Sequence, residues 1–190
     1  MTMRALAGSI AAGLLCACAA LPLAPRDPTP FDLLGRALVS YSEGAVTANV
    51  RWQHDAQRDE IWLMTPTGQT LAHIVDSKAG AVLTRADQQQ FRADNVESLT
   101  RQGLGWALPL GLLQYWVRGV AAPGAAPSAV ERDAAGRLTA LTQNNWHVTF
   151  TYRSGGDADA DAGGVRRVDL RDGPNEIRFV IDTWREVPQS

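Results

Sequence analysis

The sequence predicts a mainly β fold: about eleven short antiparallel strands with two helices inserted in the middle. Three observations carry this. Apolar and polar residues alternate with period two in both halves of the chain, as in Val46, Ala48, Val50 and Trp52 against Thr47, Asn49 and Arg51. Turn-forming residues separate those segments, as at Thr65-Pro66-Thr67-Gly68 and Asn144-Asn145. Between the halves, Leu104 to Gly119 switches to helical spacing, with apolar residues at Leu110, Leu113 and Val117 and again at Leu112 and Trp116.

The N-terminus has its own logic. Arg4 is the only charge before Arg26, and Ala5 to Leu15 is an apolar run too short to span a bilayer. That is the pattern of a secretory signal. It ends in Leu15-Cys16-Ala17-Cys18, where a leucine three positions before a cysteine resembles the lipobox of bacterial lipoproteins. Cys18 is therefore the expected lipidation site. Residues 1–17 are then a signal peptide, 18–30 a lipidated, proline-rich linker (Pro22, Pro25, Pro28, Pro30), and 31–187 one domain. With both cysteines in the processed region, the domain holds by its core alone. The formal charge of −2 on 190 residues suggests no nucleic-acid partner.

Taken in order, Phe31 opens the first strand and Val46–Trp52 forms the next. Glu60–Thr65, apolar on both faces, turns through Pro66-Thr67-Gly68 into Gln69–Asp76. Ala81–Arg85 and Gln89–Arg92 follow. Asp94 or Asn95 suits the cap of a helix running to Gln102, with Val96 and Leu99 inward and Gly103 as its stop. In the Leu104–Gly119 element Pro109 suits the first turn and Gly119 the end. Such a helix, apolar on two stripes, either plugs a sheet as core or lies as a lid over an apolar cavity. Alternation resumes after the connector at 121–128. Leu138–Thr142, Trp146–Tyr152, Val165–Leu170 and Ile177–Asp182 read as strands.

Chemistry-bearing motifs are missing. No hydrolase elbow, phosphate loop or zinc-protease motif occurs, and His54, His73 and His147 sit apart without ligand spacing. Asp157, Asp159 and Asp161 have the spacing of a calcium loop. However, the glycine comes one place late, at Gly163, and Val168 stands where the closing glutamate belongs, so a solvated hairpin insertion is expected across 153–164. No metal, no cofactor and no enzyme activity are expected. The chain instead offers apolar surface in quantity, including six tryptophans. A long antiparallel sheet with one apolar face curls, and helices across its mouth enclose an interior.

The lipobox at Cys18, the run Phe31-Asp32-Leu33-Leu34-Gly35-Arg36, the stretch Gly105-Trp106-Ala107-Leu108-Pro109-Leu110 leading into Tyr115-Trp116-Val117-Arg118-Gly119, and the terminal Asp182-Thr183-Trp184 together resemble the LolA/LolB lipoprotein-localisation family, on its LolB side. The resemblance covers essentially the whole mature chain. It implies an unclosed antiparallel β-barrel with inserted helices forming a lid over an apolar cavity. It further implies a monomer, lipid-anchored on the periplasmic face of the outer membrane of a Gram-negative bacterium. Such a protein accepts the acyl chains of lipoprotein cargo from the periplasmic carrier LolA and inserts the cargo into the outer membrane. With inward faces taken from the alternation, the acyl-chain cavity falls to Val50, Trp52, Ile61, Leu63, Trp106, Leu110, Leu113, Trp116, Val117, Val148, Phe150, Phe179 and Ile181. The resemblance also implies a membrane-insertion turn at Pro66, Thr67 and Gly68, where the family commonly carries leucine at the middle position and this chain carries threonine. That departure keeps open an alternative: a lipid-anchored envelope protein of the same fold that binds or senses a lipid, or scaffolds other components.

Overall fold

A computed structural model describes residues 30–41, 44–104, 107–154 and 164–185. Eleven strands form a single antiparallel sheet: β1 (Phe31–Tyr41), β2 (Gly44–His54), β3 (Arg58–Met64), β4 (Thr70–Ser77), β5 (Gly80–Arg85), β6 (Gln90–Ala93), β7 (Ala129–Arg132), β8 (Leu138–Gln143), β9 (Trp146–Tyr152), β10 (Val165–Asp172) and β11 (Asn175–Arg185). The spatial order is β6-β5-β4-β3-β2-β1-β11-β10-β9-β8-β7. The first and last strands thus pair at the centre of the sheet, and β6 and β7 are its free edges. The barrel is not closed. Helices α1 (Val96–Leu104) and α2 (Leu110–Trp116) lie in sequence between those two edge strands. An insertion placed mid-chain is therefore the segment that crosses from one edge of the open sheet to the other.

Turn chemistry sets the register. Asn144 and Asn145 both have positive φ (49° and 68°), which is the type I′ geometry that joins Gln143 to Trp146 as a two-residue hairpin. The Thr65–Gly68 turn closes with Gly68 N–H on the Thr65 carbonyl at 2.9 Å, and the Thr65 hydroxyl accepts Gln69 N–H at 3.0 Å. Asn95 caps α1, its side-chain oxygen accepting Ser98 N–H at 2.9 Å.

The helices depart from expectation at their ends. α1 continues through Gly103 to Leu104 rather than stopping at it. α2 covers Leu110–Trp116, with Pro109 at its N-cap as expected, and stops short of the expected end at Gly119. Pro109 restricts the residue before it and has no N–H to extend a helix backwards, so the chain enters α2 there. Gly119, at φ 71°, ends the run. A side chain at position 119 would also collide with the Tyr152 hydroxyl, 2.8 Å from where its Cβ would sit.

The register also sorts the loops into two ends. Phe31 pairs with His54 and Tyr41 with Gly44, while Asn49 pairs with Met64. The turn at 66–68 therefore lies at the Tyr41 end of the barrel. Pro30, where the linker enters, lies at the other.

Candidate functional site: an apolar cavity under a short helix

The inward residues of β1, β2, β3, β4 and β11 enclose, together with α2, a cavity of about 60 Å³. Its walls are Ala37, Val39, Val46, Ala48, Val50, Trp52, Ile61, Leu63, Ile74, Ile177 and Phe179, and its roof is Leu108, Leu110 and Leu113. Every one of these is apolar. The void has a compositional cause. Ala37 and Ala48 are directly paired across β1 and β2, and the next inward position on β1 is Gly35, so small residues meet on this wall of the cavity. Val46 lines the cavity and is also 44% exposed, which places the opening at the Tyr41 end. Trp52 closes the opposite end. Its indole N–H donates to Asp59 at 2.6 Å, and the same carboxylate oxygen lies 2.9 Å from His54 Nδ1. Those two bonds fix the ring plane of the cavity floor.

Two groups of hydrogen bonds among the described residues fasten the roof. On the α1 side, the buried Thr100 hydroxyl donates to the Val96 carbonyl and accepts Leu108 N–H, both at 2.9 Å. On the far side stands Gln143, fully buried on β8. Its Oε1 accepts the Trp116 indole N–H (3.1 Å) and Ala122 N–H (3.0 Å), and its Nε2 donates to the carbonyls of Ala122 and Ala125, both at 2.6 Å. All the bonding capacity of that amide is used. Between the two pins, Leu108, Leu110 and Leu113 are held by apolar contact.

Of the residues expected in the cavity, Val50, Trp52, Ile61, Leu63, Leu110, Leu113 and Phe179 line it. Trp116, Val117, Val148, Phe150 and Ile181 are buried in the same core but do not line the cavity. Trp106, Cys18 and Asp157, Asp159 and Asp161 lie outside the described residues. The expected cavity list left out Ala37 and Ala48, whose importance lies in what they leave empty, although the alternation had placed Ala48 inward. It also left out Val39, Val46, Ile74 and Ile177, of which the alternation had placed Val46 and Ile177 on inward faces. Leu108 carried no periodic signal because it precedes the helix. Thr100 and Gln143 were legible only as polar residues at inward positions, an anomaly that marks a built hydrogen-bond site.

The rim at the open end carries the 66–68 turn. The Asn49 side chain donates to the Thr65 carbonyl at 3.4 Å, tying the turn to β2 beside Val46. The hydroxyls of Thr65 and Thr67 lie 2.8 Å apart, so the threonine is engaged within the turn. Leu71, just beyond it, is exposed. The histidines are each locally paired: His54 with Asp59, His73 with Glu60 at 2.8 Å, and His147 with Thr142 at 3.3 Å. Among the described residues no cluster of three potential ligands could hold a metal.

A sequence model of the family described as "Outer membrane lipoprotein LolB" matches residues 29–184. The outer-membrane lipoprotein LolB of Chromobacterium violaceum is 36% identical over 156 residues, covering 82% of this chain and 81% of the relative. That of Azoarcus sp. strain BH72 is 33% identical over 187 residues, covering 91% and 94%. A crystal structure from Vibrio parahaemolyticus, named for outer-membrane lipoprotein sorting, superposes with a TM-score of 0.50 at 9% identity. It covers 86% of this chain and 88% of its own. At that identity the likeness speaks to the fold alone.

Proposed function

Because this chain belongs to the LolB family of outer-membrane lipoproteins, with a role in lipoprotein localisation, we propose that it accepts lipoproteins from the carrier LolA by taking their acyl chains into the cavity beneath α2. In this reading it then releases them into the outer membrane, to which Cys18 anchors it from the periplasmic face. The observation that carries the proposal is the all-apolar lining of a void roofed by a helix that Thr100 fastens at Leu108 and Gln143 fastens at Trp116. Burying a methylene is worth about 0.8 kcal/mol, so a difference of a few methylenes covered is enough to set the direction of transfer without nucleotide or catalysis. As described, about 60 Å³ admits only a few water-sized groups. Acyl chains therefore enter by displacing Leu108, Leu110 and Leu113.

The decisive experiment is transfer of a tagged lipoprotein from purified LolA to this protein without ATP. Transfer is expected from the wild type and not from Leu113→Asp, which puts a charge in the roof. Leu113 is the better probe than Trp116, because the Trp116 indole is fully buried and bonded to Gln143, so an aspartate there attacks the fold. Transfer by Leu113→Asp at the wild-type rate would sink the proposal. Thr67, in place of the family's apolar turn residue, favours the second reading, an anchored envelope protein that holds a lipid without delivering cargo. A folded wild type that binds lipid but takes nothing from LolA would establish that reading.

A further inference from the structure

Behind the cavity floor lies a second site of opposite character. The Trp52 ring meets Phe31 edge-on at 5.0 Å, and Phe31 meets Trp184 edge-on at 5.5 Å. This aromatic wall separates the cavity from an open cleft of about 440 Å³ at the end where the linker enters, lined by Pro30, Phe31, Val165, Trp184, Arg118 and Arg185 among others. Arg118 belongs to the Tyr-Trp-Val-Arg-Gly run that marks the sequence, yet it has no part in the cavity.

Its surroundings are unusual for an arginine. The guanidinium carbon sits 5.6 Å from the Phe31 ring and 5.8 Å from that of Trp184. Among the described residues no carboxylate pairs with it, and its Nε is buried without an acceptor. Burial holds its pKa below the ordinary arginine value. Ring faces return only part of the hydration such a cation has lost, and a buried N–H without an acceptor costs free energy that a bound oxyanion would recover. A planar fork matches an oxyanion at two points. A second cation, Arg185, lines the same cleft and favours the greater charge density of phosphate over a carboxylate. The walls beside it, Phe31, Trp184 and Val165, suit an apolar arm.

We propose that this cleft is a binding site for the phosphate of an amphiphile, with Arg118 as the principal ligand and Arg185 as the second. Free phosphate and a lipid headgroup share that chemistry. The headgroup is the source we favour, since the cleft begins at Pro30, the residue reached from Cys18 through the linker. That preference alone rests on the anchored reading given above.

The test uses the full chain in non-ionic detergent, labelled with ¹⁵N, and follows the arginine Nε–H resonances. The Arg118 signal is assigned by its absence in Arg118→Lys. Soluble dihexanoyl phosphatidylglycerol is expected to shift it saturably. Dihexanoylglycerol, which has the same acyl arms without the phosphate, should bind at least about tenfold more weakly, the loss of a well-made charged contact. Inorganic phosphate binding as tightly as the phosphatidylglycerol would keep the anion site and overturn the lipid source. Equal binding of dihexanoylglycerol, or no shift with any probe, would overturn the site. Arg118→Gln should abolish the saturable binding, read by Trp184 fluorescence, and Arg185→Gln should weaken it severalfold. Should Arg118→Gln fail to fold, the wild-type titration and Arg185→Gln still decide. Neither LolA nor cargo enters the experiment, so its failure is separate from failure of the receptor proposal.

Discussion

The two halves of the sheet obey the same alternation and end differently. In β8, β9 and β10 the inward residues Leu138, Leu141, Val148, Phe150, Val168 and Leu170 pack with Trp116 and Val117 into a filled core. In β1 to β4 the inward residues include the facing pair Ala37 and Ala48, and a void remains. α2 straddles the two: its Trp116 end is fastened into the filled half through Gln143, and its Leu110 and Leu113 turn roofs the empty one. One half holds the helix, and the other gives it something to uncover. The proposed binding of acyl chains needs both, because a core packed to ordinary density throughout has nowhere for a ligand.

The contrast can be broken hardest from the filled side. Gln143→Leu strands the Trp116 indole N–H, Ala122 N–H and the carbonyls of Ala122 and Ala125 without partners. Several buried groups at about 1–3 kcal/mol each should lower stability by roughly 3–5 kcal/mol, measured by urea unfolding. On the empty side, Ala48→Leu fills the void. Excluding even two methylenes of a ligand, at about 0.8 kcal/mol each, should weaken acyl-chain binding about tenfold, while stability stays within about 1.5 kcal/mol of wild type. Acyl-probe fluorescence paired with thermal unfolding separates the two effects. Filling that left binding intact would mean that ligands use another surface.

Smaller effects sharpen the picture at the rim. Thr67→Leu should raise lipoprotein delivery to liposomes and change stability by less than about 0.5 kcal/mol, since the position is an exposed turn. Unchanged delivery would move the insertion role to another element, Leu71 first. The smallest effect concerns Asp76. Burial, then the neighbouring Asp59 and Glu97, push its pKa upward. A carboxyl raised in the folded state favours folding when protonated, so its contribution is greatest in acid and is lost as pH rises through the raised value. Asp76→Asn should therefore be slightly more stable than wild type at neutral pH, with the gain vanishing below the ordinary carboxylate range.

Strand positions were legible because period two is local: Trp146, Val148 and Phe150 declare their face without knowledge of their partners. The Asn144-Asn145 and Thr65–Gly68 turns were legible for the same reason. Which faces keep a void was not, because it depends on Ala37 meeting Ala48 across a non-local pairing. Val148 and Phe150 looked as fit to line a cavity as Val50 and Trp52, and only packing against Trp116 separates them. The start of α2 was legible in Pro109, but its end was placed at Gly119 because Val117 keeps the helical spacing, whereas the helix stops at Trp116. Arg118 gave no signal of its own, since an arginine after a helix reads as ordinary surface until its aromatic neighbours are placed.

The sorting of loops into two ends has a consequence for how the molecule stands on a membrane. At about 3.3 Å per residue, the eleven residues of β1 run about 35 Å along the strand, and the cavity opens toward the end remote from Pro30. The stretch from Cys18 to Pro30, fully drawn out, reaches about 40 Å. If Cys18 carries the anchor, as proposed above, the tether is long enough for either end of the body to face the bilayer, so a Cys18-anchored protein would not be held in one orientation.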